Sequence, residues 1–342
     1  MPDASSPSRG AAVSRRTLLR AVPGAGVTGL LASCSRMAPG AGGSGSSTPG
    51  SSLPAAEAPL TPYADLAAEL TDAATDFAAL AAMPGVPPAT AGWAVAAAAM
   101  CRAQAGPLRL PDPLSGTVVS MASPGAISSG SPSPTPTTAP TLVSRLAAIA
   151  TRQRGLEAQF RTRCLGADAS DLALLLGSLA VAAHAVRGPS VPVTGAGVAP
   201  AHIEVGSRTD ALVVLLSRVE ALAQGLEAGI GALPGTDGDV ATGEKRLSEV
   251  WALRDDIESR LVQASATPTP GPLVYDLPGT TGSDAAVRAL WGRLESDVLA
   301  AWLRVAAASS GPDRTAAVDA ATAQQDRTAS LGTPITWWPG WV

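Results

Sequence analysis

Residues 208–233 read RTDALVVLLSRVEALAQGLEAGIGAL. Within them Leu212, Leu215, Leu216, Val219, Leu222, Leu226 and Ile230 recur mainly at spacings of three and four. That is the period of one apolar face on an α-helix, without the strict alternation of a half-buried strand. Three more segments of the same kind follow. One starts after Thr242 and uses Leu247, Val250, Trp251, Ile257 and Leu261. The next starts at a Ser283 cap and uses Val287, Leu290, Trp291, Leu294, Val298, Trp302 and Val305. The last starts at Gly311-Pro312-Asp313 and fades near Gly332. Short turns join the first to the second and the third to the fourth, and short turns make antiparallel neighbours. A longer extended crossing, 268–282, separates the two pairs. Residues 208–331 are therefore expected to form a four-helix bundle of two hairpins.

Upstream the pattern stays helical. Ser170-Asp171 caps a very apolar segment, 172–186, which a Gly/Pro/Val loop, 188–206, follows. Before it, a helix from Thr141 places Leu142, Leu146, Ile149, Leu156, Phe160 and Cys164 on one face. Its arginines (Arg145, Arg152, Arg154, Arg161, Arg163) mostly avoid that face and read as a solvated basic side rather than an anion site. A first helix starts at Thr61-Pro62, with proline in the favoured first position, and stops at Pro84-Gly85. A second, Ala-rich helix spans about 89–105 with Trp93 as its one large anchor. Residues 106–140 are a low-complexity insertion, polyproline-like at 131–138 and outside the core. The region 61–187 is thus an additional, about four-helix region ahead of the bundle. Aromatics are 3% of the chain and alanine is abundant, so its cores consist of Ala, Leu and Val, which suits close-packed helices. The fold class is all-α.

Residues 1–33 read as a leader. Four arginines and one acid, Asp3, precede or flank an apolar run from Ala21 to Ala32. That run is 12 residues, short of the roughly 20 that a spanning helix needs. A basic segment before a short apolar one is a secretory signal. Ser14-Arg15-Arg16-Thr17-Leu18-Leu19-Arg20 resembles the twin-arginine export motif, carried by Arg15 and Arg16. Leu31-Ala32-Ser33-Cys34 resembles the bacterial lipobox. That resemblance implies a diacylglyceryl group on Cys34, whose two acyl chains meet the requirement for stable attachment to a membrane. Residues 34–60, rich in Gly, Ser, Pro and Ala, are expected to be a flexible tether. The expected place is the outer face of the cytoplasmic membrane.

The formal charge is −4, and removing the net +3 of residues 1–33 leaves −7. This argues against nucleic acid as a partner, since phosphates demand a basic face. With Cys34 lipidated, Cys101 and Cys164 remain. They form a candidate disulfide if the helices carrying them pack, and are two buried thiols otherwise.

Residues 208–342 resemble the actinobacterial ferritin-like domain of unknown function DUF4439. The resemblance is carried by Val219-Glu220-Ala221, Arg254-Asp255, Tyr275-Asp276-Leu277-Pro278, Leu294-Glu295 and Trp338-Pro339-Gly340. It implies a ferritin-like four-helix bundle at the C-terminus. Such bundles hold two metals with one Glu on each of two helices and Glu-x-x-His on each of the others. No Glu-x-x-His occurs here, and both histidines, His184 and His202, lie before the bundle. A residual metal site would fall to Glu220, Asp255, Glu258 and Glu295. On a helical wheel Glu220 and Glu295 lie roughly 90° and 80° from their apolar centres, flanking positions suited to surface or interhelical salt bridges. No cofactor is expected.

Trp337, Trp338 and Trp341 crowd the last six residues. They read as a tail folded back onto the core rather than an exposed platform for glycan. The chain has no G-x-S-x-G, H-E-x-x-H, phosphate loop or C-x-x-C. The fragment Asp237-Gly238-Asp239 lacks the other ligands of a calcium loop. The expected function is a non-enzymatic envelope lipoprotein that binds or scaffolds an envelope protein or cell-wall partner. The alternatives are a metal-binding ferritin-like oxidase or storage protein and a wall-glycan binder.

Overall fold

The computed structural model describes residues 61–116, 141–195, 199–234, 238–268, 271–272, 274–277 and 283–341. Among them every regular element is a helix. These are α1 (Ala64–Ala81), α2 (Pro88–Leu108), α3 (Leu142–Leu165), α4 (Ser170–Ala185), α5 (Arg208–Ala232), α6 (Gly238–Gln263), α7 (Asp284–Ala307) and α8 (Gly311–Ser330).

α1 and α2 form a hairpin whose buried faces carry small residues such as Ala73, Ala74, Ala94 and Ala97, so the two backbones approach closely. Phe77 and Trp93 lock it edge to face, their ring centroids 5.2 Å apart. The insertion starts later than 106. α2 continues to Leu108, because Pro107 in its last turn forfeits only one N–H. Leu108 and Leu114 are buried, and Ser115 pairs with Ala201 in an isolated bridge. The polyproline-like stretch 131–138 lies outside the described residues.

α3 starts where Thr141 Oγ1 accepts the Ser144 N–H at 3.2 Å. Its basic side is not simply solvated, because α3 lies against both α1 and α8. Arg152 pairs with Asp76 at 2.6 Å and Arg163 with Asp65 at 3.1 Å, both on α1, and Arg161 pairs with Asp319 on α8. α4 buries 12 of its 16 residues. A helix apolar all round belongs inside a structure, and α4 packs on α3, α7 and α8.

In the C-terminal bundle, Ser207 and Asp210 close a capping box at the start of α5. α5 runs antiparallel to α7, since Gly225 faces Leu294 while Gly229 faces Val287 and Trp291. α6 runs parallel to α7. Asp239 meets Arg288 near their starts, and Arg246 meets Glu295 further along both. The segment between α6 and α7 must therefore carry the chain back along the bundle. Among its described residues, Tyr275 lies beside α5: its N–H donates to Gln224 Oε1 at 2.6 Å and its hydroxyl to Glu220 Oε2 at 2.9 Å. One expected core residue is misplaced. Trp251 is 37% exposed and lies under the Arg254 guanidinium, 4.8 Å from its carbon. The inward stripe of α6 is Val250, Ile257 and Leu261.

The described residues form one compact unit, so the two helical regions pack together. Arg314, 5% exposed in the first turn of α8, helps to join them. Its Nε donates to the carbonyls of Ala306 and Ser309 at 3.2 and 2.7 Å, at the end of α7. Its Nη1 donates to Cys164 and Ala167 at 3.1 and 2.5 Å, at the end of α3. One guanidinium thus serves two helix C-termini, where carbonyls lack partners and the dipole favours a cation. The chain's last residues complete the junction. Ile335 exchanges backbone hydrogen bonds with Pro192 and Thr194, each 2.9 Å, and Gln104 Nε2 donates to the Trp337 carbonyl at 2.7 Å. Trp338 is buried, Trp337 and Trp341 pack against the core, and Gly340, at φ +84°, lies against Leu303 and Leu174. The tail is packing, not an exposed platform. Trp338→Ala should cost about 3–5 kcal/mol, and truncation after Gly332 should cost more, both measured by denaturant unfolding.

Candidate functional site

The interior of the C-terminal bundle holds one polar cluster, built from three helices. Glu295 of α7 is 1% exposed, although its wheel angle placed it at the flank. Arg246 of α6 grips it as a fork: Nε donates to Oε1 at 2.7 Å and Nη2 to Oε2 at 2.9 Å. Gln324 of α8 donates from Nε2 to both the Glu295 carbonyl, at 3.0 Å, and its carboxylate. Arg246 also reaches Glu249 at 3.1 Å. Burial works against the charge on Arg246. The bond to Glu295 and the nearby carboxylates outweigh it and hold the guanidinium above its ordinary range. Glu295 was expected as an interhelical salt bridge or a residual ligand, and the salt bridge is what forms. Arg246 and Gln324 were missed. Their signal was available: Arg246 lies one turn before Val250 on the inward stripe of α6, and Gln324 continues the buried series Ala317, Ala321 on α8.

The other candidate ligands do not gather around Glu295. Glu220 accepts from Tyr275. Asp255 and Glu258 both pair with Arg254 on their own helix, at 3.2 and 3.4 Å. Among the described residues no group of three His, Cys, Asp or Glu is placed to hold a metal ion. Both oxygens of the buried carboxylate are taken by a fixed cation, so these residues do not fit a dinuclear centre. Asp239, from the calcium-like fragment, pairs with Arg288.

The proposed Cys101–Cys164 bridge is corrected: both are free, buried thiols. Cys101 lies on α2, which packs on α1, whereas Cys164 turns toward α4 and donates to the Ala173 carbonyl at 3.3 Å. Burial pushes Cys101 up to about 12 and Cys164 to about 11, the latter against the pull of Arg314 and Arg161, so neither is a nucleophile at neutral pH. Arg15, Arg16 and Cys34 lie outside the described residues. Among the described residues no helix is long and apolar enough to cross a membrane.

Each histidine is held between two carboxylates. His184 of α4 lies 3.3 Å from Glu157 of α3 and 2.7 Å from Asp326 of α8. His202, in the segment before α5, lies 2.7 Å from Asp171 at the start of α4 and 2.9 Å from Asp112 after α2. The hydrogen bond to Asp171, then that to Asp112, raises His202 above its ordinary 6.5. The Leu114 N–H, then His202, lowers Asp112 below 3.8.

These features define an all-α protein whose C-terminal bundle encloses an arginine–glutamate–glutamine cluster. Residues 231–342 match the family model described as Domain of unknown function (DUF4439). The match covers α6 to α8 and only the end of α5, less than the stretch over which the resemblance was drawn. No curated protein and no solved structure matches the chain.

Removing Arg246 leaves a buried carboxylate without its cation, so Arg246→Ala should cost about 3–5 kcal/mol in urea unfolding. The apolar pair Arg246→Met with Glu295→Leu should recover most of that loss. The His202 contribution to stability is full below 6.5 and lost as pH rises through its raised folded value. That of Asp112 is full above 3.8 and lost as pH falls through its lowered folded value. His202→Gln should therefore lower the melting temperature at pH 5.5 and have a smaller effect at pH 9.

Proposed function

We propose that this protein is a lipid-anchored cell-envelope protein whose ferritin-like bundle acts as a binding or scaffolding module rather than a metal-dependent oxidase. The fork of Arg246 on Glu295 carries this reading. The interior carboxylate that a metal would need is neutralised by a guanidinium, and Gln324 donates to it as well. The two hairpins, the returning segment along α5 and the antiparallel contact of α5 with α7 support the ferritin-like assignment. The burial of Trp338 and the packing of Trp337 and Trp341 against the core speak against the wall-glycan reading. Support for export and anchoring comes from the leader: Arg15-Arg16, the short apolar run and the small residues before Cys34.

Two measurements on the full chain from its native envelope test the proposal. Cys34→Ala should move the protein from the membrane fraction to the soluble one, and unchanged membrane association would sink the anchor. Metal analysis of the purified wild type should find iron and manganese far below one per chain. A near-stoichiometric content would overturn the non-oxidase reading.

A further inference from the structure

The bundle is not closed along its α6–α8 side. α5 packs on both α6 and α7, and α7 packs on α8, but α6 and α8 meet chiefly through long side chains. Between them opens a cleft of about 180 Å³. Its apolar lining is the Trp291 indole, Leu226 and Leu331. Trp291 is only 2% exposed, so the floor is the bundle core itself. Gly243 keeps the α6 wall thin, for a Cβ there would come within 2.8 Å of the indole.

The rest of the lining is charged, and unevenly so. The lining carries three cations, Lys245, Arg246 and Arg327, against two carboxylates, Glu249 and Glu295. This surplus of one positive charge occurs in a chain whose formal charge is −4. Arg246 is engaged by Glu295, and Glu249 is shared between Arg246 at 3.1 Å and Arg327 at 3.7 Å. Lys245 remains. It is the single lysine of the chain, and it forms no ion pair among the described residues. Small-molecule sites combine an apolar cavity with a few convergent polar groups. Here the surplus group is one cation above an apolar floor.

We infer that this cleft binds a small organic monoanion, with its charged end at Lys245 and Arg327 and its apolar body on Trp291 and Leu226. Size sets the class. An apolar cavity of roughly 150 Å³ accepts a benzene ring, so a body of about that size fits and a nucleotide or long acyl chain does not. The inference deepens the binding-module reading and rests on it.

Phenylacetate is a suitable probe, titrated against the detergent-purified full chain by ligand-observed saturation-transfer NMR. Saturable binding is expected, weakened by added salt. Benzyl alcohol, with a similar body but no charge, should bind about tenfold more weakly, the difference that a hydrogen bond to a charged group makes. Lys245 is exposed, so Lys245→Gln should melt like the wild type yet lose about tenfold in affinity, while Lys245→Arg should retain most of it. Absence of saturable binding, equal affinity for the two probes, or an unchanged affinity in Lys245→Gln would each overturn the inference. Metal-free protein that fails to bind would refute the cleft alone, whereas metal-loaded protein would refute the wider reading.

Discussion

The bundle depends on how Trp291 is seated. Its indole lies over Gly229 of α5 and Gly243 of α6, and its Nε1 donates to the Gly225 carbonyl at 3.0 Å. A Cβ at Gly229 would stand 2.7 Å from Val287, and at Gly243 2.8 Å from the indole. Interiors pack at crystal-like density, so no small shift would absorb such overlaps. One large ring therefore sets the spacing of α5, α6 and α7 together. Two features follow from it. Glu295, one turn further along α7, is carried into the interior, where it needs a cation. The ring's outer edge is left as the floor of the cleft on the α6–α8 side.

A buried ion pair is weak support for stability and strong support for specificity of arrangement only in some proteins. Here the geometry makes it demanding. Arg246, Glu295 and Gln324 come from three different helices, and their hydrogen bonds form only when α6, α7 and α8 hold one register. Arg314 makes a similar demand elsewhere, since its carbonyl partners lie at the ends of α3 and α7. Both clusters tie helices that the chain order separates widely. Together with the buried α4 and the returning tail, they make the two helical regions a single body.

Much of this was legible along the chain. The apolar periods of α3, α5 and α7 marked faces that are buried almost throughout, because a long, strongly amphipathic helix has one way to hide its stripe. The errors occurred where one residue can satisfy two environments. Trp251 looked like core, yet the ring lies at the surface under Arg254. Arg246 and Gln324 carry no apolar signal of their own, yet they lie on inward stripes. A polar residue in an apolar row reads as noise until its partner is known, and the partners are 49 and 29 residues from their common carboxylate. The low compositional complexity of 106–140 hides its first residues, of which Leu108 and Leu114 reach the core.

The sequence by itself determined the all-α class, the eight helical segments and the two-hairpin order of the bundle. These rest on local periodicity, capping and turn chemistry, which need no distant partner. Only the tertiary structure decided that the two regions are one body, that Cys101 and Cys164 stay apart, and that Glu295 is neutralised inside. Each of these depends on which helix lies beside which, and that is set by the fit of side chains far apart in the chain. The seat of Trp291 on three glycines from two other helices is the clearest case.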